Sequence, residues 1–311
     1  MKKKFSIVIP IYKNEKNLPI TIPYIIEKLP LFSDYDVEIV MVNDGSPDNS
    51  YEVMKEFQKE YPNLIKIGTL SRNFGQLECT HAGIALATGD VVGVISADMQ
   101  EPFELFADML KEWERGYKIV MGVRAARDEK GLYVIFAKLF HKFTQKYLCK
   151  MYPQGGCDFY IMDKKVAQEY LSIDGRYTGG MLNRYWLGYK QKEIPYVRAE
   201  RKAGKSGFSI GKKIDVAMGV VFMNSPFPLK IILGLALFLI LIGGITGVVS
   251  AILGRMSLLL CAFVSLMTGL ILLSNYILGE YLWRAYEVVK ARPRYIMDEV
   301  IDQTTKNKEN Q

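Results

Sequence analysis

Residues 37–47 read Val37-Glu38-Ile39-Val40-Met41-Val42-Asn43-Asp44-Gly45-Ser46-Pro47, and this stretch decides the fold. Val37–Val42 is an apolar run of strand length. It stops at a polar turn, Asn43-Asp44-Gly45. Ser46-Pro47 then opens a helix, with Ser as N-cap and Pro at the first helical position, running to about Glu60. The same unit recurs on both sides. Before it come a buried strand, Phe5–Ile11 (FSIVIPI), and a helix over roughly Glu15–Leu29. After it come a strand at Leu64–Leu70, a helix at Gln76–Ala87 ending near Gly89, and a strand at Val91–Ser96. Glu101-Pro102 opens a further helix to about Arg115, and Lys118–Val123 is a fifth strand. Strands alternating with helices of this length predict an α/β fold: a Rossmann-like, doubly wound and mostly parallel sheet. In such sheets ligands bind beyond the C-terminal strand ends. The loops to search are therefore Tyr12–Glu15, Asn43–Ser46, Ser71–Gly75 and Ser96–Gln100.

The composition closes off other classes. Half of the 311 residues are hydrophobic, too many for a disordered chain. Cys79, Cys149, Cys157 and Cys261 are scattered without a CxxC, which fits a reduced compartment rather than a disulfide scaffold. Two histidines, His81 and His141, make a His-rich zinc site unlikely by count. Met1-Lys2-Lys3-Lys4 leads into a run too short for a secretory signal. There is no GxGxxG and no GxxxxGK[ST], which argues against dinucleotide and P-loop chemistry. The net charge of +7 suits anionic lipid and phosphorylated ligands. No nucleic-acid partner is expected.

Ile231–Gly254 holds no charged residue; Arg255 interrupts, and Met256–Gly279 is again uncharged. Each run would make roughly 36 Å of helix, enough to cross a ~30 Å hydrocarbon core. The short link forces a hairpin, with spans at about 231–254 and 256–280. Lys212, Lys213 and Lys230 precede it, and Arg284, Lys290, Arg292 and Arg294 follow it, which orients both flanks and both termini to the cytoplasm. Gly234, Gly243, Gly244 and Gly247 permit close helix contact. Leu132–Leu148 sets Lys138, Lys142 and Lys146 four apart on one face, an interfacial amphipathic helix or else a packing helix. The expected organisation is a catalytic domain at 1–209, a juxtamembrane helix at 210–228, the hairpin at 229–283 and a cytoplasmic tail at 284–311. The tail, polar from Asp298, is expected to fray.

At the strand ends, Asp44 could accept hydrogen bonds from a ribose or base edge, or could simply cap the next helix. Asp98, two residues past a strand with Gln100 beyond it, suits a hard cation such as Mg²⁺ or Mn²⁺. It also fits a helix N-terminal acid before Pro102. Arg72 and Asn73 could meet a diphosphate.

Ile9-Pro10-Ile11-Tyr12-Lys13-Asn14-Glu15, Val42-Asn43-Asp44-Gly45-Ser46, Leu70-Ser71-Arg72-Asn73-Phe74-Gly75-Gln76 and Ser96-Ala97-Asp98-Met99-Gln100-Glu101-Pro102 together resemble family 2 glycosyltransferases of the GT-A fold. The nearest branch uses polyprenyl phosphates, as do bactoprenol glucosyltransferases and dolichol-phosphate mannose synthases. Gly156-Cys157-Asp158-Phe159-Tyr160-Ile161-Met162-Asp163 is similar to that branch's GDFRLMD segment. Arg198–Ser206 is similar to its basic acceptor loop, and Gly279–Tyr295 to the end of its hairpin. The resemblance implies a GT-A catalytic domain, then interfacial helices and a two-helix transmembrane hairpin. It implies a nucleotide-sugar site at Pro10, Tyr12, Glu15, Asp44, Arg72 and Asp98, with UDP and glucose as the default donor. It implies a metal, Mg²⁺ or Mn²⁺, on Asp98 and Gln100. It implies an acceptor-phosphate site at Arg124, Lys138, Arg198, Arg201, Lys205 and Ser206, with Asp98 and Asp158 as the catalytic pair. A homo-oligomer, plausibly a tetramer, is implied as well. Ser96 departs from the family's usual DxD, Asn43 from DDGS, and Ser206-Gly207-Phe208 from SKY.

Two rivals stand beside this reading. A processive polysaccharide synthase would carry QxxRW, where this chain has Asn183-Arg184-Tyr185-Trp186. A catalytically silent membrane scaffold is suggested only by Ser96. A transporter is disfavoured because neither span carries an interior acid or Lys.

Overall fold

The computed structural model describes residues 2–124, 158–173, 180–197, 256–289 and 293–302. One compact unit comprises Met1–Phe208 together with Pro293–Gln311; a second comprises Ser209–Arg292.

The first unit is built on an eight-stranded sheet: β1 Lys3–Ile11, β2 Tyr35–Asn43, β3 Ile65–Leu70, β4 Val91–Val94, β5 Ile119–Arg124, β6 Phe159–Asp163, β7 Gln191–Tyr196 and β8 Met297–Ile301. The spatial order is β7-β5-β6-β4-β1-β2-β3-β8. β1 pairs in parallel with β2 and β4, β2 with β3, and β5 with β7. β6 runs antiparallel between β4 and β5, and β8 antiparallel beside β3. The sheet is thus mixed, and less parallel than the alternation predicts. Its five leading strands lie where the apolar runs place them. Because β6 is reversed, its N-terminal end shares an edge with the C-terminal ends of β1–β5.

The helices are α1 Leu18–Lys28, α2 Ser50–Glu60, α3 Gln76–Leu86, α4 Leu105–Glu114, α5 Lys164–Ser172 and α6 Gly180–Trp186. Three begin later than their sequence signals. Before α1, the Asn14 carbonyl first accepts from the amides of Asn17 and Leu18. Ser46 does not cap α2: its amide donates to Asn43 Oδ1 at 3.1 Å and its hydroxyl accepts from Lys13 N at 3.0 Å. Likewise α4 starts at Leu105, leaving Glu101 and Pro102 in the preceding loop.

Alternation along the strands divides the core between two faces. Ile7 and Ile9 of β1 point to one, where Phe5, Phe103, Phe106 and Phe159 interlock, Phe5–Phe106 at 5.3 Å and Phe106–Phe159 at 4.7 Å between centroids. Val8 points to the other, with Val40, Val42, Tyr160 and Tyr170. There α3 approaches β1 so closely that a Cβ on Gly83 would lie 2.3 Å from Val8 Cγ1.

Of the tail expected to fray, the described residues 298–302 are ordered. Met297–Ile301 pairs with β3, so the segment after the hydrophobic stretch belongs to the catalytic sheet.

In the second unit, α7 is one continuous helix, Met256–Val289, of 34 residues. It contains the expected second span and continues past its expected end. Leu260, Val264, Ile271, Tyr276, Leu282 and Trp283 are exposed along it. Among the described residues, no helix is long and apolar enough to cross a membrane; several side chains of α7 are not among them. The expected first span (231–254), juxtamembrane helix (210–228) and amphipathic helix (132–148) lie outside the described residues.

Candidate active site

The shared sheet edge gathers the loops after β1, β2, β3 and β4, the end of β5 and the start of β6. Pro10 lies in β1 opposite Val42, beyond the last β4 pairing at Val8, where a missing N–H leaves no ladder bond unmade. Tyr12 is exposed, with the Lys13 ammonium 5.4 Å from its ring centroid. Glu15 reaches sideways: its carboxylate accepts from Asn49 N and Nδ2, both at 3.3 Å, and so braces the start of α2.

Asp44 is almost wholly enclosed, at 2% exposure. Its amide donates to Ile11 O, and its Oδ1 accepts from Phe74 N at 2.7 Å, with Gly75 N 3.0 Å from Oδ2. Burial pushes its carboxyl above the ordinary carboxylate range, against the pull of those two amides and of Arg72. It does not cap the following helix. It clamps the loop after β2 to the loop after β3. Gly45 completes the clamp: φ is +57°, and a Cβ there would lie 2.4 Å from the Arg72 carbonyl carbon. Arg72 is exposed between these anchors, its guanidinium 4.0 Å from the Phe74 ring centroid.

After β4, Ser96 Oγ bonds Asp98 Oδ1 at 2.8 Å and also Glu101 Oε2. Met99 takes a left-handed φ of 54°, which turns the chain back; Gln100 and Glu101 are both buried. Glu101 was missed in the sequence, because its place before Pro102 reads as a helix start. The one available signal was a third acidic or amide side chain within five residues of Ser96. Two carboxylates facing one hydroxyl proton form an oxygen-rich, anionic pocket.

Across this pocket, Arg124 Nη2 lies 3.3 Å from Asp158 Oδ2. Burial opposes the charge on Arg124, yet Tyr196, Asp158 and Glu101 hold its pKa above the ordinary value. The pairing β5–β6 produces this contact, since Gly122 faces Phe159. Arg124 and Asp158, read from distant motifs, are thus direct partners. Lys138, Arg198, Arg201, Lys205 and Ser206 lie outside the described residues.

Residues 6–171 match the family described as Glycosyl transferase family 2. The chain belongs to that family. A Synechocystis protein named "Uncharacterized glycosyltransferase sll0501" is 35% identical, covering 96% of each chain. The "Prophage bactoprenol glucosyl transferase homolog" of Escherichia coli is 30% identical over 96% of this chain and 99% of its own. The "Undecaprenyl-phosphate 4-deoxy-4-formamido-L-arabinose transferase" of Yersinia enterocolitica is 29% identical, covering 99% and 97%. The likeness to these relatives therefore runs through both units, hydrophobic stretch included.

Proposed function

We propose that this family 2 glycosyltransferase moves a sugar from a nucleotide-sugar donor to a polyprenyl phosphate with inversion at the anomeric carbon, UDP-glucose being the first donor to try. The observation that carries the reading is the convergence of the clamped Arg72 loop, the Ser96–Glu101 pocket and the Arg124–Asp158 pair on one sheet edge. Likeness along the whole chain to bactoprenol and undecaprenyl-phosphate transferases supports the acceptor class.

The donor set fits a hard divalent cation. Among the described residues no trio of His, Cys, Asp or Glu could hold a metal. Asp98, Glu101, Gln100 and Ser96 instead offer two carboxylates, an amide and a hydroxyl, the sparse oxygen set that Mg²⁺ or Mn²⁺ completes with substrate phosphates. A divalent ion held there would offset the charge of the departing diphosphate. Arg72 offers that diphosphate a planar cation from the neighbouring loop. The acceptor needs no strong base, because a phosphate monoester, with a second pKa near 6, is already mostly a dianion at pH 7. It needs positive charge in line with the sugar. Arg124 supplies this at the pocket wall, and Asp158 fixes its direction. By the resemblance, Lys138, Arg198, Arg201, Lys205 and Ser206 share the task.

The lipid requires a membrane-facing enzyme, and we propose a two-span hairpin with the catalytic unit on the cytoplasmic side. The uncharged runs at 231–254 and 256–279 support it. The connectivity is compatible with it: strands from before and after these runs lie in one sheet, as a two-span hairpin requires. A homo-oligomer belongs to the same proposal.

The test is direct. Purified protein is given undecaprenyl phosphate, Mg²⁺ or Mn²⁺, and a panel of nucleotide sugars. Formation of lipid-phosphate sugar with release of nucleoside diphosphate is expected. Polymer, or hydrolysis alone, would overturn the assignment.

A further inference from the structure

The loop Ser71–Gly75 is held at both ends, and the two anchors come from opposite extremes of the chain. At its far end the amides of Phe74 and Gly75 close on Asp44. At its near end Ser71 N donates to the carbonyl of Ile296 at 3.0 Å, a residue beyond the hydrophobic segment. Arg72 stands between them.

The segment 294–302 is fastened along its whole length. Arg294 Nη1 donates to Ile173 O at 2.9 Å. Tyr295 and Met297 pack on the same core face as Phe74. Met297 Sδ would lie 3.2 Å from a Cβ on Gly68, so β3 presents a glycine where the tail comes closest. Tyr51 Oη donates to Glu299 at 2.8 Å, and the nearly inaccessible Lys66 ammonium meets Asp302 at 2.8 Å. The ladder is regular from Ile67–Ile301 to Thr69–Glu299 and then shifts between Thr69 and Leu70, one residue before Ser71. Such an irregularity redirects a strand end. Here the shifted register pairs Leu70 with Met297 and carries the ladder one rung further, to the Ser71 N–H and the Ile296 carbonyl.

We propose that the segment 294–302 is a positioning element of the donor site: by fixing Ser71 it fixes where Arg72 stands relative to the donor diphosphate. The inference rests on the functional reading above and adds residues that no loop motif contains. It also has a chemical consequence. Without the tail, Ser71 N–H loses its partner and β3 becomes an open edge. Arg72 then belongs to a loop that keeps its Asp44 anchor but loses the one at Ser71. Pre-organisation of the guanidinium is lost, so donor binding suffers and the acceptor side does not.

The test compares the full chain with a chain ending at Pro293. UDP binding with Mn²⁺ is followed by calorimetry, and turnover is titrated separately with UDP-glucose and with undecaprenyl phosphate. Truncation is expected to raise the UDP Kd and the UDP-glucose KM at least fivefold, with the lipid KM changed less than twofold. A synthetic peptide of residues 293–304, added in trans, is expected to restore donor binding. Arg294→Leu, which keeps the strand but removes the bond to Ile173, is read in the same titrations in case the truncated chain does not purify, with a smaller donor-selective shift expected. Unchanged UDP affinity in these variants overturns the inference, as does an equal loss for donor and lipid that the peptide does not restore. If the full chain itself binds no UDP, the functional reading fails and takes the inference with it.

Discussion

Asp44 shows how a side chain read as a ligand-binding group can also hold the site's loops together. Its carboxylate accepts from two backbone amides thirty residues away, so Asp44→Asn is expected to slacken the Arg72 loop. Glu101 is the opposite case, a residue given no role in the sequence reading that faces the same hydroxyl as Asp98. Glu101→Gln is expected to weaken Mn²⁺ binding in the presence of UDP about tenfold, read from the paramagnetic signal of free Mn²⁺. Asp98→Ala is expected to abolish transfer; full turnover by that variant would remove the metal from the mechanism. His81 is a third kind. It is buried and stacked on Tyr170 at 4.5 Å, and burial, with Arg294 and Arg184 nearby, lowers its pKa to about 3. The folded state therefore binds fewer protons than the unfolded one. The stability this residue contributes is complete above pH 6.5 and is lost as the pH falls towards 3, at up to about 1.4 kcal/mol per pH unit. His81→Phe is expected to flatten that part of the stability–pH curve, measured by urea denaturation from pH 7 to 4.

Among elements, legibility followed burial. β1 to β5 announce themselves because they are covered on both faces and written in Val, Ile and Met. β7 (QKEIPY) and β8 (MDEVI) are polar edge strands, and their pairing is decided by partners far away in sequence. The sequence of β8 alone reads as solvated tail; only β3 makes it a strand. β6 is apolar enough to be seen, but nothing local says that it runs backwards. The helix starts failed for another reason. Ser46 satisfies its hydrogen bonds across the site, with Lys13 and Asn43, and so is unavailable as a cap. The site loops themselves were legible as loops at strand ends, while their mutual contacts, Asp44 to Gly75 and Arg124 to Asp158, depended on register. The α3–β1 packing offers a test at this scale. Gly83→Ala puts a methyl into Val8, which has no slack, and is expected to cost about 1–3 kcal/mol in chemical denaturation. No change in midpoint would mean that the helix rides further from the sheet.

For the molecule as a whole, the catalytic unit is discontinuous in sequence: its last strand follows the hydrophobic stretch. A fragment ending at Phe208 therefore lacks β8 and leaves β3 as an unprotected edge. That fragment is expected to aggregate or melt well below a chain in which a short flexible linker joins Phe208 directly to Pro293. Light scattering and thermal denaturation of the two would decide it; equal behaviour would show that β8 adds little to the sheet.

The discontinuity also sets an order of events during synthesis. About a hundred residues separate the end of β7 from the start of β8. At 5–20 residues per second the ribosome needs roughly 5–20 s to cross that distance. Throughout this interval the nascent sheet waits with one strand missing, while the greasy stretch is already leaving the exit tunnel. The sheet is complete only when Met297–Ile301 arrives, so a polypeptide that stalls or is clipped after the hydrophobic stretch is left without its eighth strand.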